Sequence, residues 1–498
     1  MSAGAETIRA LLEGRHGPAL GQPGRPDLSY GELMSVIDTV GRQLAGLAIA
    51  PGDDVAIVLP NGPEMAAAFL AVGSHAVAAP LNPAYTRDEF AFYMEDLGAK
   101  LLIATGDTPA KAAAESLGIP VVDIVPNDAA GAFRLASDAE ADARRNGPGD
   151  VALVLHTSGT TSRPKIVPLT ARNVTASAHN IAATLHLVPD DRCLNVMPLF
   201  HIHGLIAAVL SSLAAGAAIS CTTGFDALRF FGAMAEVKPT WYTAVPTMHQ
   251  AILSRAARNA GIIADARLRF VRSSSSSLPV PVLKSLEETF GCPVIEAYGM
   301  TEAAHQMASN PLPPAARKPG SVGPAAGPEV AIMGEDGTLR DAGEIGEIVI
   351  RGANVTRGYR SNDKANAEAF TDGWFRTGDQ GDMDAEGYVT IRGRLKEIIN
   401  RGGEKISPRE VDDVLMEHPA VAQVVTFAVP HDKLGEDVAA AVVLAEGATL
   451  DAGELRAFAG RSLAPFKVPR AVLFLDEIPK GATGKLQRIG LAEKLGLS

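Results

Sequence analysis

The chain has 498 residues, a length that indicates about two to four domains rather than one. Its composition, 47% hydrophobic and 20% charged, is that of a globular protein with large cores, and its formal net charge of −12 argues against the basic surface that nucleic-acid binding requires. Three cysteines without a close pair, Cys193, Cys221 and Cys292, exclude a disulfide scaffold and a cysteine-only zinc site.

The ends of the chain and its most apolar stretch indicate a cytoplasmic protein. No basic start followed by an apolar run opens the sequence, and no peroxisomal tripeptide closes it. The uncharged stretch 204–225 is long enough to span a bilayer, but it contains many small and polar residues. We therefore expect a buried helix followed by a buried strand there, and no membrane span.

Short apolar runs alternate with helical segments along most of the chain. The predicted strands lie at 55–60, 100–105, 151–157, 270–274 and 344–352. Such alternation is typical of α/β architecture with buried, largely parallel strands. Beyond about residue 320 the sequence becomes rich in glycine and β-type residues, and a further α/β unit begins near residue 394. A boundary at Gly393–Arg394, with the glycine as a hinge, predicts domains 1–393 and 394–498.

The segment LHTSGTTSRPK, residues 155–165, follows a predicted strand and is the strongest single motif. Its consecutive backbone N–H groups and hydroxyls can surround phosphate oxygens, while Lys165 supplies positive charge. The spacing differs from that of the Gly-x4-Gly-Lys-Ser/Thr loop. A polar turn is the alternative, but Ser-Gly-Thr-Thr followed by Pro-Lys favours a phosphate-binding segment.

Five segments, in this order, resemble the motifs of adenylate-forming enzymes: TSGTTSRPK, EAYGMTEAAH, GWFRTGD, GRLKEIINRGGEKISPREVD and PKGATGKLQR. That superfamily contains acyl-CoA synthetases, luciferases and the adenylation domains of peptide synthetases. The resemblance implies an α/β fold with a large N-terminal domain, made of two α/β subdomains and a β-rich subdomain, and a small mobile α/β C-terminal domain. It also implies two half-reactions. A carboxylate attacks the α-phosphate of ATP to give acyl-AMP and pyrophosphate, and the thiol of coenzyme A then displaces AMP.

The resemblance assigns adenylation roles to individual residues. Lys485 resembles the lysine that reaches from the C-terminal domain to the carboxylate and the α-phosphate, where placed charge is often the largest catalytic contribution. Glu302 is similar to the residue that holds Mg²⁺ on ATP, an ion that often uses one protein carboxylate plus phosphates. A solvated surface lysine is the alternative for Lys485 taken alone. The catalytic candidates are Lys485, Glu302, Thr160 and His201.

The same resemblance predicts a nucleotide pocket. Asp379 matches the aspartate that accepts hydrogen bonds from both ribose hydroxyls, assisted by Arg394, although an ordinary salt-bridged turn is the alternative. The adenine is expected to stack on Tyr298, and Thr301 matches the position that touches the α-phosphate. The other predicted ATP contacts are Thr157, Ser158, Gly159, Thr160, Thr161, Lys165, Ser276, Glu296 and Ala297.

For thiolation, the loop NRGGEK at 400–405 resembles the segment that lines the pantetheine tunnel once the small domain has rotated. Gly402 and Gly403 are the predicted contacts of coenzyme A, although many relatives specific for aryl acids carry lysines where this chain has Asn400 and Gly402. The small domain would close over the active site for adenylation and rotate for thiolation, so both half-reactions would use the same site. Motion of this domain would then control which half-reaction can occur.

The run RSSSSSLP, residues 272–279, lies between a predicted strand and a predicted helix, where the family forms one wall of the acyl pocket. The predicted acid contacts are His201, Ser274, Ser275 and His305. Hydroxyls and imidazoles line an alkyl or aryl tail poorly, because their polar groups would be left unpaired, but they suit a second carboxylate. This pocket and the string EAYGMTEAAHQMASNPLP resemble the oxalate–CoA ligase branch.

Each part of the acid pocket has an alternative. His201 and His203 could be half of a metal site, although no spaced third ligand follows them. His305 could be a buried histidine bonded to backbone, and the serines could form a flexible turn. The functional alternatives are a ligase for malonate, a short-chain acid or an aromatic acid, a module that loads a carrier protein, and a non-catalytic nucleotide binder. No carrier domain or carrier attachment motif accompanies the chain.

Overall fold

The computed structural model describes residues 5–157, 164–479 and 486–497. Two large sheets, each with parallel strands at its centre, make up most of the N-terminal part. The predicted α/β class is confirmed, as are strands Asp54–Val58, Leu101–Ala104, Val151–Thr157, Phe270–Ser273 and Gly346–Arg351.

The first large sheet has seven strands. Its five central strands are parallel, and an antiparallel strand closes each edge. The central strand Asp54–Val58 is buried along its whole length. From edge to edge the strands are Phe133–Leu135, Val121–Pro126, Leu101–Ala104, Asp54–Val58, Val77–Pro80, Val151–Thr157 and Lys165–Thr170.

The second large sheet has eight strands, of which the inner six are parallel. From edge to edge they are His305–Ser309, Val294–Met300, Phe270–Ser273, Trp241–Ala244, Arg192–Asn195, Ala218–Cys221, Pro18–Gln22 and Arg25–Ser29. Ligands of open α/β sheets bind beyond the carboxyl ends of parallel strands, which is where the serine run and the segment after Ala244 lie.

Helices cover both sheets, and local sequence explains their limits. Helix Tyr30–Gly46 begins with a capping box between Ser29 and Glu32, and its buried residues recur every three or four positions. Helix Val280–Phe290 starts after Pro279 and ends at Gly291, whose left-handed backbone favours glycine. The other α-helices of the described N-terminal part are Ile8–Leu12, Pro63–His75, Arg87–Leu97, Pro109–Leu117, Ala171–Thr184, Ser211–Ala214, Phe230–Val237, Pro246–Ala256, Ala260–Asp265 and Asp363–Ala369, with 3-10 turns at Ala257–Asn259 and Thr301–Ala303.

The stretch 204–225 forms a buried helix and then the buried strand Ala218–Cys221, as predicted. Its first part, His203–Leu210, is a π-helix, which the sequence did not predict. Such wide turns are frequent at functional sites, and this one begins with a fully buried histidine. Within the described ranges, no helix is long and apolar enough to cross a membrane.

Two further sheets follow in the chain. The predicted β-rich segment is a five-stranded antiparallel sheet of Glu329–Met333, Gly346–Arg351, Trp374–Met383, Phe370–Thr371 and Val389–Arg394. After the 3-10 turn Leu395–Glu397, the C-terminal unit has strands Glu404–Ile406, Ile399–Arg401, Gly435–Leu444, Val421–His431 and Ala471–Phe474. Its helices are Pro408–Met416, Ala452–Ala459 and Leu491–Lys494. Arg394 is the last residue of the β-rich sheet, and the hinge at Gly393–Arg394 stays a prediction.

Candidate active site

Asp379 and Tyr298 meet in a buried polar cluster, although they are far apart in the sequence. The Tyr298 hydroxyl donates to one Asp379 oxygen, and Arg394 Nε lies 2.8 Å from the other. Burial and the adjacent carboxylate raise the pKa of the Tyr298 phenol, so it remains a donor. The Asp379 carboxylate is thus held in place from two sides. A carboxylate fixed in this way is suited to accept hydrogen bonds from the hydroxyl groups of a ribose. Ring stacking of adenine on Tyr298 stays a prediction.

Glu302 lies in the 3-10 turn Thr301–Ala303 and is only 6% exposed. Its Oε1 accepts a hydrogen bond of 2.9 Å from the Tyr359 hydroxyl, and burial raises the pKa of this carboxyl. Lys165 Nζ lies 4.4 Å from the centre of the Tyr359 ring. Glu302, Tyr359 and Lys165 therefore form one cluster at the end of the phosphate motif, and Tyr359 has no counterpart among the sequence predictions.

The donor set around Glu302 fits Mg²⁺ only together with a nucleotide. No group of three metal-ligating side chains occurs among the described residues, so a hard cation here would take Glu302 plus phosphate and water oxygens. A cation beside a buried carboxylate also offsets the cost of its burial. The His201 and His203 pair is not part of a three-ligand cluster in the described part of the chain.

The predicted phosphate segment is described only at its ends. Thr157 and Lys165 face each other across the antiparallel pair Val151–Thr157 and Lys165–Thr170, so the motif joins two neighbouring strands. Of the predicted ATP contacts and catalytic residues, Ser158, Gly159, Thr160, Thr161 and Lys485 lie outside the described residues.

The serine run forms the predicted turn between strand Phe270–Ser273 and helix Val280–Phe290. Ser275 is half-buried and has a left-handed backbone, with φ of 74°. Its Oγ lies 2.9 Å from His203 Nδ1. Ser274 is fully buried and donates to the carbonyl of Ala297 at 2.8 Å, whereas Ser276 is exposed. Because that bond occupies the Ser274 proton, Ser275 is the better placed of the two hydroxyls for a ligand.

His305 reaches the same pocket from a neighbouring hairpin. Its ring centre lies 5.1 Å from that of His203, and its backbone is also left-handed, with φ of 96°. The hairpin needs Gly299, because a Cβ there would lie 1.9 Å from the carbonyl oxygen of His305. His201 is half-buried, and its Nδ1 accepts from the backbone N–H of His203 at 3.4 Å. The structure thus brings Ser275 and His305 together around His203, with His201 two residues before it, and the binding of an acid by these residues stays a prediction.

The sequence reasoning missed two side chains at this pocket, His203 and Arg272. Both are fully buried. The sequence suggests His203 only as half of a metal site, and it predicts no role for Arg272 at the start of the serine run. The available signal in the sequence was an arginine directly after the apolar residues Phe270 and Val271 of a predicted strand. A charged side chain is seldom fully buried unless it is paired, so such a position indicates a functional role.

Gly402 and Gly403 form the turn between strands Ile399–Arg401 and Glu404–Ile406. Both have left-handed backbones, with φ of 61° and 98°, and the Asn400 side chain accepts from the N–H of Gly403 at 3.1 Å. The two glycines are exposed, so a ligand can reach them, and their role with coenzyme A stays a prediction.

Glu296 is a buried carboxyl behind the serine turn. Its Oε1 accepts from the backbone N–H of Leu278 at 3.0 Å, and burial raises its pKa from 4.5 to about 7, against the opposing charge of Arg409. Since this pKa is raised, the carboxyl favours the folded state below pH 4.5, and this contribution is lost as the pH rises through about 7.

Replacement of Glu296 by glutamine is therefore expected to raise the unfolding temperature at about pH 8 and to change it little at about pH 5. The glutamine keeps the acceptor for Leu278 and removes the buried charge. Calorimetry at the two pH values measures the effect, with Glu288→Gln on the exposed side of helix Val280–Phe290 as the control. An equal change at both pH values would contradict the assignment.

A buried aspartate with phenol and guanidinium partners, a buried carboxylate beside a tyrosine and a lysine, and a hydroxyl-rich sequence segment are together typical of an enzyme that binds a nucleotide with its polyphosphate. The chain belongs to the AMP-binding enzyme family, which matches residues 15–360, while the AMP-binding enzyme C-terminal domain matches residues 410–485.

Three relatives show how far the similarity extends. An oxalate–CoA ligase of Arabidopsis thaliana is 48% identical over 97% of this chain and 98% of its own. An oxalate–CoA ligase of Saccharomyces cerevisiae is 41% identical over 95% of this chain and 92% of its own. The crystal structure of ATP-bound MatB from Rhodopseudomonas palustris, 30% identical, has a TM-score of 0.88 and 98% of both chains aligned. The adenylate-forming fold predicted from the motifs is thereby confirmed.

Proposed function

We propose that this protein is an AMP-forming oxalate–CoA ligase. It converts oxalate and ATP to oxalyl-AMP and pyrophosphate, and then transfers the oxalyl group to coenzyme A with release of AMP. The observation that carries the substrate assignment is the polar wall at Ser275, where a hydroxyl and the imidazoles of His203 and His305 replace an apolar lining. The similarity to two oxalate–CoA ligases supports the same substrate.

The first half-reaction brings an anionic acid to a polyanionic nucleotide. Asp379 and Arg394 would hold the ribose, and residues 157–165 would contact the phosphates. Glu302 would hold Mg²⁺, which when bound offsets the charge that develops on the phosphates. Thr301, next to Glu302, and the amine of Lys485 would contact the α-phosphate while oxalate attacks it, which reduces repulsion in the transition state.

Ser275, His201 and His305 would bind the distal carboxylate of oxalate and leave the other carboxylate free to attack. An alkyl or aryl tail in this place would exclude water from the Ser275 hydroxyl and the neighbouring imidazoles without offering them a further acceptor, at a cost of about 1–3 kcal/mol for each polar group that loses its hydration. That cost disfavours an aromatic acid or a short-chain monocarboxylic acid. Another dicarboxylic acid would offer the same distal carboxylate, and turnover of malonate against oxalate distinguishes the two. Transfer to a carrier protein instead of coenzyme A differs only in the second half-reaction.

The second half-reaction would use the same pocket after a rotation of residues 394–498 about Gly393–Arg394. The loop with Gly402 and Gly403 would then line the path of the pantetheine arm. In the present structure Gln250 Nε2 donates to the carbonyl of Ala422 at 3.0 Å, a contact between the large and small domains that the rotation would break.

A panel of acids with purified protein tests the function. Pyrophosphate release with CoA is measured for oxalate, malonate, acetate and benzoate, and the thiol is then replaced by a carrier protein. We expect the highest kcat/KM with oxalate and CoA. Turnover of another acid at least as good as that of oxalate, or of the carrier protein at least as good as that of CoA, would contradict the proposal.

Two replacements of Ser275 test its role in acid binding. Ser275→Ala keeps the backbone strain and removes the hydroxyl, so it is expected to raise KM for oxalate about tenfold or more while KM for ATP changes little. Ser275→Gly also removes the hydroxyl but relieves a left-handed backbone that costs about 1–2 kcal/mol in other residues, so it should unfold at a higher temperature than Ser275→Ala. His305→Ala is expected to act like Ser275→Ala on oxalate. Equal effects on oxalate and ATP would show that the pocket has been misassigned.

A further inference from the structure

Arg272 is a buried cation that has no carboxylate partner among the described residues. It lies on strand Phe270–Ser273, its side chain is fully buried, and burial lowers its pKa to about 9, which leaves it charged at neutral pH. Its described neighbours are neutral acceptors. Nη1 lies 3.5 Å from His203 Nε2, and Nη2 donates to Gln306 Oε1 at 3.4 Å. Burial of an unpaired charge is costly in free energy. We therefore expect either that an anion binds near this guanidinium or that its electric field has a functional role.

The amide of Gln306 is fixed in the orientation that accepts from Arg272. Its Nε2 donates to Thr184 Oγ1 and to the carbonyl of Ala326, both at 3.1 Å, and this leaves Oε1 toward the guanidinium. A guanidinium has donors only. Arg272 therefore donates in both directions, to the amide oxygen on one side and to the imidazole on the other.

The direction of these bonds determines which nitrogen of His203 carries the proton. Nε2 faces Arg272 at 3.5 Å and the Thr243 hydroxyl at 2.6 Å. Arginine cannot accept a hydrogen bond and the Thr243 hydroxyl can donate one, so a lone pair on Nε2 suits both neighbours. We therefore assign the proton of the neutral ring to Nδ1. Nδ1 lies 2.9 Å from Ser275 Oγ, so His203 donates to that oxygen. The single proton of the Ser275 hydroxyl then remains available for another acceptor.

We propose that Arg272 and His203 are positioning residues that make Ser275 a hydrogen-bond donor toward the distal carboxylate of the acid. The inference rests on the proposed function, because it assumes that an anion occupies the pocket. In the opposite tautomer Nδ1 would accept the Ser275 proton, and the serine would present lone pairs to the carboxylate. The buried charge of Arg272 disfavours that tautomer, because it would place an N–H opposite the guanidinium. The same charge polarises the imidazole and the Ser275 hydroxyl in the direction that favours an anion.

A double-mutant cycle between Arg272 and Ser275 tests the proposal. In the otherwise unchanged enzyme, Arg272→Met is expected to raise KM for oxalate about tenfold, with little change in KM for ATP. In the Ser275→Ala enzyme the same replacement should raise KM for oxalate less than about twofold, because the chain of donors ends at the missing hydroxyl. Arg267→Met is the matched control, because it removes an exposed guanidinium that donates to the carbonyls of Ala264 and Ala266 three residues before the same strand, and it should leave both KM values unchanged.

A pair of His203 variants gives the second measurement and serves if Arg272→Met does not fold. Asparagine places an amide N–H near the position of Nδ1, whereas glutamine places it near Nε2. His203→Asn should keep KM for oxalate within about threefold, and His203→Gln should raise it about tenfold. An equal loss in both variants, or a greater loss in His203→Asn, would overturn the tautomer assignment.

The outcomes separate this inference from the proposed function. If Ser275→Ala leaves KM for oxalate unchanged, the pocket assignment fails and the inference fails with it. If Ser275→Ala raises KM for oxalate but Arg272→Met has the same effect with and without the serine hydroxyl, the proposed function stands and the inference alone is overturned.

Discussion

Replacement of Lys485 by alanine is expected to abolish formation of acyl-AMP while transfer of the acyl group from supplied oxalyl-AMP to CoA continues. The reason is that the Lys485 amine would act only in adenylation, in which the carboxylate attacks the α-phosphate of a polyanion. Its positive charge would stabilise the transition state of that step, and removal of the charge should lower the rate of adenylation about 100-fold or more. Lys485 lies outside the described residues, so this prediction depends on its position in the motif PKGATGKLQR.

The two half-reactions can be assayed separately. Exchange of labelled pyrophosphate into ATP in the presence of oxalate measures adenylation, and CoA-dependent release of AMP from synthetic oxalyl-AMP measures thiolation. Lys494→Ala on the exposed end of helix Leu491–Lys494 removes a lysine from the same domain and should change neither. A parallel loss of both activities in Lys485→Ala would contradict the proposed role.

Replacement of Asp379 by asparagine is expected to raise KM for ATP about 10- to 100-fold, which corresponds to loss of one charge-assisted hydrogen bond to the nucleotide. Asparagine keeps the shape of the side chain and an oxygen for the Tyr298 hydroxyl, but it removes the charge. Asp379 is also the main cause that raises the pKa of Arg394, so the variant leaves that guanidinium without its ion-pair partner at 2.8 Å.

The control for Asp379→Asn lies in the same strand. Asp382→Asn makes the same chemical change in strand Trp374–Met383. The carboxylate of Asp382 lies 2.6 Å from the guanidinium of Arg392, and Arg392 has no predicted part in the site. Initial rates at varied ATP and at varied oxalate measure the two KM values separately. An unchanged KM for ATP in Asp379→Asn, or an increase of the same size in Asp382→Asn, would argue against a ribose contact.

Much of the fold followed from local patterns. Apolar runs predicted the parallel strands, and the turn after Phe270–Ser273 could be placed because Pro279 and the spacing of Val282, Leu283 and Leu286 mark a helix start and its buried face. The π-helix His203–Leu210 could not be predicted, because an apolar stretch has the same pattern whether it winds as an α- or a π-helix.

The sequence by itself determined the enzyme family of this protein, because five motifs in fixed order carry the predicted phosphate-binding segment, Glu302, Asp379 and Lys485. Only the tertiary structure decided how polar groups are paired. Tyr359 reaches Glu302 from 57 positions away, and Arg272 reaches His203 from 69 positions away. Hydrogen bonds between distant segments have no periodicity in a sequence. They arise from the order of strands in a sheet, which alone places a buried arginine behind a histidine and a serine.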